Sequence, residues 1–257
     1  MKNILNKIYF HPFFLLTLLI FILIGEFRFI SSFMLLIIVH ELGHILVSLI
    51  FKWNIDSIII LPFGGLTKYN EIINRPLIEE FLIAIAGIVF QIIFYILIKN
   101  YVDYKYFSFI NLFIIIFNLM PIHPLDGSKI LNIIFNKITS YKNSLLLTVI
   151  VSYVFIVLLL FLSFRINKII AFILIFLILE VNKLYKERKE LFNKFLLERY
   201  LKEFRFKQEK TINSIDEMKK DYRHLFYING KYLTENYFLK KMFDYKNFRQ
   251  FRQFDNY

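Results

Sequence analysis

"VHELGHIL", residues 39–46, places two histidines and a glutamate in the middle of an apolar stretch that runs over residues 30–51. About 22 residues at 1.5 Å each are enough to cross a hydrocarbon core of roughly 30 Å as one helix. His40 then falls near mid-membrane, about 15 Å of helix rise from the start of the stretch. Ionisable groups at that depth are expensive and mark function.

His40 and His44 are four residues apart, so on a helix they differ by about 40° and lie one turn apart on one face. That spacing lets two imidazoles share one tetrahedral metal, with Glu41 placed to take a proton from a water attacking a carbonyl. The pattern is not accidental: with 5 His in 257 residues, roughly 0.005 HExxH matches are expected by chance, which answers the false-positive risk such motifs carry. A catalytic zinc site usually has three protein ligands and an open position. Glu79 and Glu80 at a span end, His123, Asp126 and Glu180 are the candidates for the third. Asp126 stands out because it lies in "NLMPIHPLDGSK", residues 118–129, where an apolar helix breaks at Pro121, Pro124 and Gly127. Non-helical backbone at membrane depth is tolerated only where it is buried in protein or lines a water-filled cavity.

Composition agrees with a membrane chain: 58% of residues are hydrophobic and 19% aromatic, more apolar than the roughly 45–50% of soluble domains. There are no cysteines, which excludes disulfides, thiolate metal sites and cysteine nucleophiles. Residues 1–182 carry 13 Lys and Arg against 9 Asp and Glu, and residues 183–257 carry 19 against 11. The net charges of +4 and +8 mark a boundary near residue 182.

Apolar runs at 12–24, 30–51, 78–98, 106–120, 144–164 and 168–182 predict six crossings, with the fourth too short and broken by the Pro/Gly/Asp loop. Lys2 and Lys7 precede the first run, and without a small-residue cleavage site it reads as a transmembrane helix and not a removed leader. The basic segment after residue 182 belongs in the cytoplasm, and six crossings then put the N-terminus there too. Between the second and third runs, "SIIILPFGGLTKY" has a β-branched run, then Pro62, Gly64 and Gly65, the pattern of a strand or hairpin. The fold expected is an all-α integral membrane protein of six transmembrane helices with a small cytoplasmic α/β C-terminal domain. Its parts are a membrane domain over 1–182, an amphipathic linker helix over 183–210 and a tail over 211–257.

HELGH in an early span and N-x-x-P-x-x-P-L-D-G in a later one resemble the site-2 protease family of intramembrane zinc metalloproteases, peptidase family M50. The six-run layout and "LPFGG" are similar to its sporulation branch, which cleaves pro-sigma-K in the mother cell of spore-forming bacteria. The resemblance covers about residues 1–182. It implies one zinc per chain held by His40, His44 and Asp126, Glu41 as general base, and Asn118 seating the substrate backbone or the oxyanion. It also implies a membrane-associated protein substrate and residence in a bacterial cell membrane or the membrane around the forespore. "AGIVFQ", residues 86–91, departs from the family's A-G-P-x-x-N by Ile88 and Gln91, and Ser128 replaces a glycine. Gln91, His123, Gly64 and Gly65 are then candidates for contact with substrate, the last two by adding a substrate strand to the LPFGG segment.

In the tail, Leu184, Leu191, Phe195, Leu196 and Leu201 among charged residues predict the amphipathic helix, whose basic face suits anionic lipid or the rest of the tail. Residues 211–243 read as helix, strand, turn, helix, with Asn229-Gly230 a hairpin signal. The stretch is similar to half of a cystathionine-β-synthase (CBS) type domain, which implies pairing of two chains before any nucleotide site is complete, so ATP stays unassigned. Phe248, Phe251 and Phe254 interleave with Arg249 and Arg252, but no nucleic-acid module accompanies them. Two other readings stand beside the protease: an inactive relative that only binds membrane proteins, and a metal transporter, which predicts repeats and further metal sites.

Overall fold

A computed structural model of the chain describes residues 7–61, 64–70, 73–101, 104–163, 168–206, 208–228 and 230–244. The opening motif lies on α2 (Phe27–Ile50), and its buried face is Leu36, Ile37, His40, Glu41, Gly43, His44, Ile45 and Ser48. Leu35, Ile38, Leu42, Leu46 and Leu49 on the same helix are exposed. Polar groups inward and leucines outward invert the pattern of a water-soluble helix and suit one surrounded by lipid.

α1 (Pro12–Ile24) precedes α2, and α3 (Leu77–Ile98) packs against it more extensively than any other helix. α4 (Tyr104–Asn118) ends before the Pro121–Pro124 break, and α5 (Asp126–Ile138) resumes after it. α6 (Tyr141–Ser163) and α7 (Lys168–Leu201) pair beside α5. Among the described residues, three helices are long and apolar enough to cross a membrane: Phe27–Ile50, Leu77–Ile98 and Tyr141–Phe161. Two shorter apolar helices accompany them. The break between α4 and α5 falls where it is expected, but Gly127 sits inside the first turn of α5 and does not end a helix.

The membrane part is not wholly helical. β2 (Ile55–Leu61) and β3 (Gly64–Tyr69) form an antiparallel hairpin at the LPFGG segment, and β1 (Ile8–Phe10) joins β2 in parallel. Sequence reading misses β1, because three residues carry no usable period. Pro62 and Phe63 lie outside the described residues. β3 is the edge strand on the side of α2.

The tail differs more. A helix is expected from residue 211, but Gln208–Ile212 is a strand, β4, parallel to β5 (Tyr222–Ile228). The Ile212, Ile215, Met218 spacing imitates a helix. Local side-chain bonds stop it: Ser214 accepts from the Asp216 amide, and Glu217 accepts from the Asn213 amide, leaving a single 3-10 turn. β5, β6 (Lys231–Thr234) and α8 (Glu235–Asp244) follow the expected strand, turn, helix order. The amphipathic helix is the end of α7, and it stops at Leu201. The phenylalanine and arginine residues beyond 244 lie outside the described residues.

The tail is bolted to the membrane domain. Its core of Ile212, Met218, Phe226 and Leu239 is continuous with Tyr141 and Leu145 of α6 and with Phe192, Phe195 and Leu196 of α7. Beside it, buried Arg199 donates to Asn74 Oδ1 (2.7 Å), the Glu235 carboxylate (3.1 Å) and the Lys219 and Tyr222 carbonyls (both 2.8 Å). His224 Nε2 accepts from the Lys219 amide (3.0 Å), so Nδ1 carries the proton and donates to Glu235 (3.0 Å). Burial pushes the His224 imidazole below its ordinary pKa against the pull of Glu235. Burial alone would raise the Glu235 carboxyl, but His224 and Arg199 hold it below the usual range.

Candidate active site

Helix α2 sets His40 and His44 one turn apart with their rings 4.8 Å apart, and the start of α5 brings Asp126 to them. His40 Nε2 and His44 Nε2 lie 2.9 Å and 3.0 Å from Asp126 Oδ2, and 3.1 Å from each other. All three residues are almost completely buried. Asp126 is the first residue of α5, where the helix N-terminus favours a carboxylate.

Protonation follows from the outer contacts. His44 Nδ1 is 2.7 Å from the Ile83 carbonyl, which can only accept, so Nδ1 carries a proton and the neutral ring keeps its lone pair on Nε2. Gln91 Nε2 donates to the carbonyl and side-chain oxygens of Asn111 (3.2 Å and 3.0 Å), which turns Gln91 Oε1 toward His40 Nδ1 at 3.0 Å. His40 Nε2 is therefore a lone pair as well. Lys129 takes the other oxygen of Asp126, Oδ1, at 2.8 Å. Two imidazole nitrogens and a carboxylate oxygen converge on one point. That donor set suits a metal cation, and among the described residues it is the one group of metal-ligating side chains so arranged.

Glu41 stands beside this centre. Thr67 on β3 donates to its Oε2 (3.2 Å), while its Oε1 is buried with no hydrogen-bond partner. The approach requires a glycine opposite: a Cβ on Gly65 would stand 2.2 Å from Glu41 Cδ. α3 needs one as well, since a Cβ on Gly87 would stand 2.4 Å from His44 Nε2 and 2.7 Å from His40 Nε2. Neither the Gly87 requirement nor the Ile83 carbonyl is visible in the sequence, because both act across 39 residues or more.

The other predicted residues separate. Gly64 lies against Asn118, where a Cβ would be 3.1 Å from Oδ1, so the hairpin and the end of α4 meet. Asn118 donates to the Ile114 carbonyl (3.0 Å). Gln91 is fully buried, and its side chain spans from His40 to Asn111. His123 stays outside the ligand cluster but lines a cavity of about 360 Å³ together with His44, Tyr69 and Lys129. Glu79 accepts from Trp53 Nε1 (2.8 Å), and Glu80 is paired with Lys220, so both are occupied elsewhere. Glu180 is also outside the cluster. Ser128 is accommodated, its hydroxyl donating to the Leu125 carbonyl (2.8 Å).

Because Gln91 fixes the His40 tautomer, Gln91→Leu is expected to weaken metal binding about 10- to 100-fold, the usual effect of losing such a partner. Competition with a graded zinc chelator on the purified variant checks it. An unchanged midpoint would mean that His40 is oriented by its packing alone.

Comparison with known proteins agrees with the geometry. The model of peptidase family M50 matches residues 28–102 and 99–162. Stage IV sporulation protein FB of Bacillus subtilis is 35% identical over 211 residues, which is 77% of this chain and 73% of that protein. A zinc metalloprotease of Methanocaldococcus jannaschii is 33% identical over 117 residues, 42% of this chain and 34% of that one. The solved structure of the site-2 protease from Methanocaldococcus jannaschii superposes with a TM-score of 0.58 at 25% identity, covering 68% of this chain and 89% of that one.

Proposed function

The chain belongs to peptidase family M50, and from that premise we propose how it cleaves a peptide bond in or next to the membrane. It is a metallopeptidase with zinc as its cofactor. His40, His44 and Asp126 are the residues that would hold the ion, one per chain. Bound there, zinc supplies a Lewis acid that polarises the scissile carbonyl and brings the pKa of water toward neutrality.

The chain's own groups do the rest. Lys129 holds Asp126 Oδ1 and leaves Oδ2 facing the histidines. Thr67 holds Glu41 Oε2 and leaves Oε1 to take the proton of the attacking water and pass it to the departing amine. A helical substrate carbonyl is hydrogen-bonded and shielded, so the substrate must unwind at the cleaved bond. The outer edge of β3 suits the unwound segment, by β-augmentation beside Gly64 and Gly65, with Asn118 at its end. The convergence of three lone-pair donors next to a carboxylate oxygen without a partner is the observation that carries this reading.

For the substrate we propose a membrane-associated pro-sigma factor of the pro-sigma-K kind. Likeness to a stage IV sporulation protein supports it. Co-expression with such a protein should give a shortened product, and its persistence at full length with zinc-loaded enzyme would remove the pro-sigma reading. The domain reading is a membrane protease over 1–182, an amphipathic linker over 183–210 that includes the end of α7, and a CBS-like tail over 211–257 through which two chains pair.

The topology proposed is six crossings: the three long apolar helices, α1, the α4–α5 pair counted as one, and the apolar first half of α7. Both termini then face the cytoplasm. A phosphatase reporter active only outside the cytoplasm, fused after Tyr257, is expected to be silent. Strong activity there would reverse the orientation.

A further inference from the structure

Residues 216–221 of the tail cap the ends of three helices around the cavity that holds His44. The Met218 carbonyl accepts from the Tyr141 amide at the start of α6 (2.9 Å), and Asp216 pairs with Lys142 one residue on. Lys219 Nζ donates to the last carbonyls of α5, Ile138 (2.6 Å) and Lys137 (3.3 Å). Asp221 Oδ2 accepts from the Leu77 amide at the start of α3 (3.2 Å), where Pro76 offers no side-chain cap. These are the end groups that a helix leaves without intrahelical partners. Asp221 reaches its position at φ 60, a left-handed conformation that aspartate tolerates better than most residues.

Lys220, in the middle of this clasp, is 4% exposed. It pairs with Glu80 of α3 and sits over the Tyr141 ring of α6, 5.6 Å from its centroid. Lys220, Glu80 and Tyr141 line the same cavity as His44 and Lys129. One turn beyond Glu80, the Ile83 carbonyl of α3 fixes the His44 ring. A tail residue therefore forms part of the cavity wall and joins the two helices on either side of it.

We propose that Lys220 is a substrate-positioning residue: paired with Glu80 and seated on Tyr141, it fixes the separation of α3 and α6 at the tail end of the cavity, where the extended part of a substrate lies. The inference rests on the proposed seating of substrate along β3, continued past Thr67 and Tyr69 into the cavity those two residues line, which makes that cavity the peptide site. The tail is then a wall of the active site and not an appendage to it.

The test uses the full-length protein with a co-purified membrane-tethered substrate, measuring KM, kcat and zinc per chain. Lys220→Met leaves the half-buried Glu80 carboxylate without its partner, and is expected to raise KM roughly tenfold, within the coupling range of contacting residues. kcat and zinc content should hold. Lys220→Arg should restore KM, and so should Lys220→Met with Glu80→Gln, which removes the unpaired charge. If Lys220→Met does not fold, Asp221→Gly supplies the second variant: it keeps the positive φ, removes the cap of α3, and should raise KM in the same sense. Equal losses of kcat and zinc in the single and double variants would make the clasp merely structural and overturn the proposal, as would an unchanged KM. Ile73→Trp, which adds bulk at the half-buried rim of the cavity, separates the two levels. If it leaves KM unchanged, the cavity is not the peptide site and the inference falls with that reading. If it raises KM while Lys220→Met does not, the inference alone fails.

Discussion

Asp126→Ala is expected to take zinc per chain from about one to near zero and to abolish cleavage. Two neutral imidazoles would remain, and a catalytic zinc site ordinarily has three protein ligands. The carboxylate is also the only negative charge among the three. At an effective dielectric of about 20, opposite unit charges 4 Å apart already attract by about 4 kcal/mol, and a dication doubles that. The substitution further strands Lys129, whose ammonium is held at 2.8 Å by Asp126 Oδ1 and would repel a cation nearby. Asp126→Asn keeps the shape without the charge and should fall in the same direction. Elemental analysis of purified protein, with gel filtration to show that the variant is folded, makes the measurement. Full zinc in Asp126→Ala would remove the carboxylate from the ligand set, and His123, which lines a cavity together with His44, would be the next residue to substitute.

What was legible in the sequence was whatever a short period records. His40, Glu41 and His44 belong to one helical turn, so their spacing alone places them on one face. Asp126 was legible because Pro121, Pro124 and Gly127 interrupt an apolar run at a depth where a break needs a reason. The hairpin showed through the β-branched run and Gly64-Gly65. What was not legible depends on distant contacts. Nothing local says that Gln91 turns its oxygen to His40, or that Ile83 supplies a carbonyl to His44, because α3 meets α2 only in the fold. The same holds for Arg199, which joins Asn74, 125 positions away, to Glu235. The wrongly expected helix at residue 211 has a local cause. Ser214 and Glu217 supply competing bonds to the backbone.

Two of these misses, Gln91 and Ile83, concern how α3 meets the histidines of α2, and the other two concern how the tail folds and joins the rest of the chain. A motif records the residues of one helical turn, whereas the orientation of their rings depends on contacts from α3. A protein with HELGH intact and α3 misplaced would retain the motif and lose the partners of both Nδ1 atoms.

Glu41→Gln is expected to keep zinc near one per chain and lose cleavage by about 10²–10⁴-fold, the usual contribution of a general base. The two carboxylates of the site are thereby separated by outcome. Glu41 is adjacent to a ligand in sequence, but the three mutually close ligating atoms are His40 Nε2, His44 Nε2 and Asp126 Oδ2, without it. A glutamine at 41 has almost the same shape, so Gly65 still fits against it, and its amide oxygen can still accept from the Thr67 hydroxyl. What changes is the other end. Oε1, buried and without a partner in the native chain, becomes an amide nitrogen that cannot accept a proton. The variant should therefore bind substrate and hold it uncleaved, so intact substrate should co-purify with it in greater yield than with the active enzyme. Cleavage at the native rate would place the base elsewhere. Loss of zinc from a folded Glu41→Gln would make Glu41 a ligand, and the division of labour between the two carboxylates would have to be redrawn.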